Sequence, residues 1–387
     1  MNDLIFEIGK AIGKVFLNPL IYWIAFISIV ISKRRIKDEQ VQFQRELFPI
    51  GAEFEYTGGL TILGSLSVSI VAILFNMIFI TEIILFLSII IFILSFAFGF
   101  KMLSAAYTLG FTFLLFKVLE MFDNRLFELG YITNHTFSSI AVLIALFFFI
   151  EAIMYKLISN ENAFPDIVKS KRGSWFGMYH IQKASIIPFF IFVPGKITIA
   201  SLPVIPYFTI GGENISFALV PLFIGFHHII KGQLPIQVTN RLRRNNTLLG
   251  SLVLITALIS FYLPGIAVAS VALAIIGKIY INHLIEVDDQ KQGLSFIELK
   301  NELKIFAIVP NSPAHILGLK VGDTITKVNN IEVNSLDELN EQLNNLILFP
   351  NFEVLTTNQE VHTIGNEKYK GNLSELGIIF PTEQQLD

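Results

Sequence analysis

The residues most able to do chemistry in this chain are its histidines, and their spacing argues against such a use. The 387 residues include seven histidines and no cysteine. Disulfides and thiolate metal sites are thereby excluded. A zinc protease helix carries two histidines one turn apart, so that both imidazoles face one metal, with a glutamate to activate its water. No His-Glu-x-x-His run occurs. His227 and His228 are adjacent, which on a helix sets them about 100° apart. They read as interfacial histidines near Lys231. A serine intramembrane protease needs an exposed nucleophile with a histidine on another span. Gly64-Ser65 and Gly250-Ser251 instead sit inside apolar runs and read as small packing residues. No catalytic residue, metal ligand or cofactor site is assigned.

Ionisable groups inside a membrane are the remaining chemical candidates. Lys117, Glu120, Glu151, Lys156 and Lys196 all fall near the ends of apolar runs, where long side chains reach the interface. They keep one alternative open, a transporter with a regulatory tail.

The elements that would position these groups follow from composition. The chain is 53% hydrophobic and 15% charged. Apolar runs fall at 15–32, 60–80, 83–100, 102–119, 137–155, 185–209, 215–230, 248–262 and 264–281, several near the length of about 20 residues that crosses a bilayer. They predict a polytopic α-helical membrane domain of about seven to nine spans over residues 1–285. Segment 185–209 carries Pro188, Pro194, Pro203 and Pro206, which predict a kinked or broken helix. Leu263-Pro264-Gly265 reads as a tight turn between paired helices.

Basic clusters set the orientation. They follow the first run (Lys33, Arg34, Arg35), the fifth (Lys169, Lys171, Arg172, Lys183) and the seventh (Arg241, Arg243, Arg244). Nine crossings put all three on one side with the tail, in the cytoplasm, and the N-terminus outside. Asp3 and Glu7 near the start argue against a cleavable signal. The loop Lys169–Lys183, with Trp175, Phe176 and Tyr179, reads as positive-inside charge with an aromatic belt beside membrane lipid.

A second domain is expected over residues 286–387, where acidic residues exceed basic by 16 to 7. That balance argues against a nucleic-acid ligand. A polar linker, Asp288 to Gln292, leads into short alternating strands at Leu294–Leu299, Leu303–Val309, Thr324–Val328 and Ile331–Val333. Pro310 to Pro313 turns the chain. Ala314 opens a short helix that stops at Gly318, and Gly322 is free to take a positive φ. Asn329-Asn330 suits a two-residue hairpin turn. Ser335 with Glu338 is a capping box for a helix over about Leu336–Leu346, with Leu336, Leu339 and Leu343 on one face.

This pattern, from Gln290 to Phe380, closely resembles a bacterial PDZ domain, a small α+β module. The resemblance implies a groove between a strand and the helix, holding a peptide C-terminus as an added strand. Gly293, Leu294, Ser295 and Phe296 resemble the loop that receives the carboxylate, with Leu376-Gly377-Ile378 as the alternative. Leu339 and Leu343 either line that groove or pack the core. Over its whole length the chain also resembles the MinJ-like family of cell-division topological determinants of Gram-positive bacteria, in the tail and from Asn162-Ala163-Phe164-Pro165 to Lys171-Arg172-Gly173. That resemblance implies a non-enzymatic scaffold of the cell membrane, enriched at the septum or poles. Its implied partners are DivIVA-like, MinD-like and divisome proteins, with no small-molecule substrate.

Overall fold

The computed structural model describes residues 9, 11–122, 133–169, 175–198, 202–205, 208–210, 214–293, 302–344, 350–356, 359–365 and 376–380. Among the described residues seven long helices wrap a β-hairpin, and a small mixed module follows. Helix α1 (Pro19–Phe43) starts where the Asn18 side chain accepts from Leu20 N–H and proline takes the first turn. Then come α2 (Gly58–Leu74), α3 (Thr81–Phe98), α4 (Ala105–Phe122) and α5 (Asn134–Lys156). A Thr133–Thr136 capping box opens α5. After the strands, α6 (Pro235–Ile259) and α7 (Ile266–Gln292) are joined by the expected turn at Leu263-Pro264-Gly265.

Three helices among the described residues are long and apolar enough to cross a membrane, namely α3, α5 and α7, and α2 is a shorter apolar helix. The helices pack through small and hydroxyl residues. A Cβ at Gly64 would touch Ile150 and Ile187 at 3.4–3.6 Å, and one at Gly250 would lie 2.9 Å from Phe148. Ser260 and Ser138 share a hydrogen bond of 2.8 Å at one end of the bundle, where Phe75 also meets Phe261. At the opposite end, here termed the base, α5 finishes and α4 begins.

Two of the nine apolar runs are not helices. Residues expected as spans at 185–209 and 215–230 form β2 (Trp175–Thr198) and β5 (Asn214–Ile230), with β1 (Phe164–Lys169) at the open edge of β2. The β2–β5 register runs from Tyr179↔Ile230 to Thr198↔Asn214. Between them, β3 (Leu202–Ile205) pairs with β4 (Phe208–Ile210). Ile, Phe and Val dominate β2 and β5, and β-branched and aromatic side chains favour the extended backbone. Pro188 lies opposite Pro221, so two residues without N–H donors meet in the register. Because both faces are buried, the strands read as continuous apolar runs, which hydropathy alone does not separate from helices.

The helices hydrogen-bond the hairpin's outer edges at several points. Ser69 Oγ accepts from Phe190 N–H at 2.9 Å, and Phe192 exchanges backbone hydrogen bonds with Met77 and Phe79. On the other side Gly225 N–H donates to Leu103 C=O at 3.2 Å. Lys183, placed in a basic loop by the sequence reading, is instead 1% exposed inside β2 and donates to Ala52 and Glu55 carbonyls. Helix α7 likewise continues through Asp288 to Gln292, so the expected linker is helical. Asp289 faces inward and accepts from Lys231 and Gly232 N–H.

Replacing Ser69 with valine removes the acceptor for Phe190 N–H. A buried donor left without a partner costs about 1–3 kcal/mol. Thermal unfolding in detergent is expected to show that loss for Ser69→Val and no comparable loss for Ser88→Val, whose hydroxyl bonds only its own helix at Ile84.

Candidate functional site

The tail is built as its turn residues dictate. Strands β6 (Leu303–Lys304), β7 (Ala307–Ile308), β8 (Thr324–Val328), β9 (Ile331–Glu332), β10 (Asn351–Leu355), β11 (Val361–Gly365) and β12 (Ile378–Ile379) surround helices α8 (Pro313–Leu317) and α9 (Leu336–Asn344). The main sheet has the order β11-β10-β8-β6, with β9 paired to β8, and β12 pairs with β7. Ser312 caps α8 and Gly318 ends it at φ 86°. Asn329 and Asn330 take φ of 49° and 67°, a left-handed pair whose twist suits a tight hairpin. Ser335 Oγ accepts from Glu338 N–H at 3.2 Å. The Glu338 carboxylate accepts from Asn334 N–H at 2.8 Å, one residue earlier than a strict capping box.

Of the expected peptide-site residues, Leu339 and Leu343 lie on the inner face of α9, 0% and 4% exposed, in the core. Gly293 ends α7 at φ 74°, with open space where a Cβ would sit. Leu294, Ser295 and Phe296 lie outside the described residues, as does the strand expected at Leu294–Leu299. In the alternative segment, Gly377 takes φ 81° against Ser312, and Ile378 pairs with Ile308.

The tail does not hang free on its tether. Tyr179 Oη on β2 donates to Phe306 C=O at 2.5 Å, and the two rings lie 4.9 Å apart. Phe306 is fully buried, and a Cβ at Gly177 would come within 2.3 Å of its ring. His315 Nε2 stands 3.6 Å from Glu161. Gly232 approaches so closely that a Cβ there would meet Gly293 C=O at 2.4 Å. One apolar core therefore continues from the helices through the hairpin base into the tail.

Beside this junction β1 is clipped to α1. Asp166 accepts from Gln42 at 2.6 Å and lies 3.0 Å from His180 Nε2, while Gln42 accepts from Ile167 N–H. Burial pushes the Asp166 carboxyl up, but the hydrogen bonds from His180 and Gln42 outweigh it and hold the group below its usual value. Arg35 sits over the Phe164 ring at 4.4 Å and binds Glu39 and Glu53. The segment after Arg34 is thus the end of α1 and an internal brace.

The two adjacent histidines face opposite ways because they lie on a strand. His227 Nε2 meets His180 Nδ1 at 2.8 Å, and His228 Nε2 meets Tyr155 Oη at 3.2 Å. Among the described residues no cluster of three or more His, Asp or Glu could hold a metal ion. The sequence reading missed one group, Lys278. It is 2% exposed and ion-paired with Glu151, also 2% exposed. Ser104 and Tyr155 donate to the same carboxylate at 2.7 and 3.1 Å, and Lys278 reaches Asn246 at 3.3 Å. A lysine inside the apolar run 264–281 was the available signal. Glu151 is therefore inside the bundle, while Lys117 and Glu120 pair with each other at its edge.

Residues 292–347 match the family model described as PDZ domain. The tail carries a PDZ domain. Over 98% of its length the chain is 27% identical to the cell division topological determinant MinJ of Bacillus subtilis (strain 168), covering 96% of that protein. The similarity thus spans the helices, the hairpin and the PDZ domain alike.

Removing one member of a buried ion pair strands the other and costs about 3–5 kcal/mol, whereas replacing both with apolar side chains is close to neutral. Thermal unfolding in detergent is expected to show that loss for Glu151→Leu and recovery of most of it in Glu151→Leu/Lys278→Met.

Proposed function

We propose that this protein is a non-enzymatic membrane scaffold that places or assembles cell-division proteins. The supporting observation is similarity to a cell division topological determinant along nearly the whole chain, joined to a PDZ domain and membrane-length helices. In this reading residues 1–285 form a multi-pass anchor in the cell membrane, and residues 286–387 form a cytoplasmic reader enriched at the septum or poles. The PDZ groove takes an extended peptide end. Gly293, Leu294, Ser295 and Phe296 receive its carboxylate, and Leu339 and Leu343 back the groove wall from inside. The implied partners are a DivIVA-like curvature marker, a MinD-like ATPase and divisome components, with membrane lipid around the anchor. No cofactor, nucleic acid or small-molecule substrate belongs to this reading.

A second reading is supported by the buried Glu151–Lys278 pair, because ionisable groups between apolar helices often mark a transport path. A transporter retains solute flux without residues 286–387 and loses it in Glu151→Leu/Lys278→Met.

Proximity labelling in native cells separates the two. The full-length protein is expected to enrich division proteins, with part of the set lost on deleting 286–387. A set without division proteins, containing solute-binding or energising components, contradicts the scaffold.

A further inference from the structure

We propose that the β2–β5 hairpin itself crosses the bilayer, and that its base is a mount that fixes the PDZ domain to the membrane part. The proposal rests on the membrane reading above and adds to it a membrane-crossing element that is not a helix.

The path of the hairpin follows two apolar helices. Along α2, Ser185 Oγ meets Thr61 Oγ1 at 3.0 Å, Phe190 N–H meets Ser69 at 2.9 Å, and Phe192 meets Met77 just past the helix end. Strand β2 therefore climbs beside α2 from its first turn to its last. Along α5, Phe189 meets Phe147 with ring centroids 5.7 Å apart, and Phe226 stacks on Tyr155 at 4.1 Å. An element aligned with two such helices travels the same distance they do. The paired stretch from Tyr179 to Pro194 extends for about 50 Å at 3.3 Å per residue. The apolar thickness of a bilayer is about 30 Å.

Open strand edges are not tolerated against lipid, because each unpaired backbone group costs several kcal/mol there. In this hairpin part of that demand is met by protein, and Pro188 and Pro221 bring no N–H donor. Strand β1 covers the base of β2, and Ser69, Met77 and Phe79 take the groups above it. Leu103 takes Gly225 on the β5 side. Ile187, Ile191, Leu222 and Phe223 are at most 1% exposed, as a wrapped core strand requires.

The base ends in the contacts with the PDZ domain. Tyr179 and Gly177 hold Phe306, and Glu161 reaches His315. The strand that passes through the membrane part is thus the same strand that grips the reader.

The chain has no cysteine, so introduced cysteines report alone. Asn214→Cys, at the far end of the β2–β5 register, is tested with a membrane-impermeant maleimide in intact cells, beside Tyr262→Cys in the α6–α7 turn and Glu161→Cys at the base. Labelling of Asn214→Cys and Tyr262→Cys in intact cells, with Glu161→Cys labelled only after permeabilisation, is the expected result. Tyr262→Cys labelled without Asn214→Cys overturns the crossing hairpin. Glu161→Cys labelled in intact cells with the other two protected keeps the crossing and reverses the orientation, whereas all three on one side overturns the crossing hairpin.

The mount is tested in the full chain by bridging Glu161→Cys/His315→Cys with a short bismaleimide, whose span replaces the lost side-chain length. Adding Gly177→Val, which crowds Phe306, is expected to lower the cross-link yield about tenfold, and adding Tyr179→Phe to lower it severalfold. An unchanged yield in both overturns the mount. Size-exclusion profiles in detergent show which variants keep the fold, and Tyr179→Phe, a single-atom change, decides the matter if Gly177→Val does not.

Discussion

The constraint on which this architecture depends is the hydrogen bonding of an extended backbone surrounded by apolar helices. Helices satisfy their own N–H and C=O groups, but a two-stranded hairpin leaves half of them facing outward. Here Ser69, Met77, Phe79 and Leu103 take groups at Phe190, Phe192 and Gly225. The requirement explains why the turn after α2 folds back onto Phe192 and why hydroxyls sit in helix faces that are otherwise apolar. It also ties the helices to one another, since α2 and α5 both touch the hairpin.

The same economy governs charge. Among the described residues few charges enter the interior of the helical part, and those that do are matched. Lys183 ends on backbone carbonyls, Arg35 on two carboxylates and an aromatic face, and Lys278 on Glu151. An interior ion pair contributes little net stability, yet losing one partner is costly, so such pairs fix which helices meet. Asp289 plays a related part at the base, where its carboxylate ends the chain reversal at Lys231-Gly232 and holds it beside the start of the PDZ domain.

Much of the tail was legible in the sequence, because its signals are local. Gly318, Gly322, Asn329-Asn330 and Ser335 each dictate one backbone geometry, and each adopts it. The helical runs at 60–80, 83–100, 102–119 and 137–155 were legible for the same reason, since length and hydropathy suffice. The hairpin was not. Its two buried faces erase the alternation that marks a strand, and its prolines read as helix breaks when they sit where a strand pair tolerates missing donors. Lys278 stood out as a lysine in an apolar run, but its role was not legible because its partner lies 127 residues away. Docking of the tail was invisible because Tyr179, Gly177 and Phe306 carry no pattern until the strand brings them together. Leu339 and Leu343 were placed on the right face of the right helix, which turns inward to the core.

The central claim is that the helical part and the PDZ domain form one mounted body. It is tested most directly by the distance distribution between spin labels on Ile316→Cys, exposed on α8, and Ile236→Cys, exposed at the start of α6, in the full chain reconstituted in lipid. A mounted domain gives a single narrow distribution that broadens when Tyr179 is changed to phenylalanine. A distribution already broad in the parent chain, and unchanged by that substitution, contradicts the account.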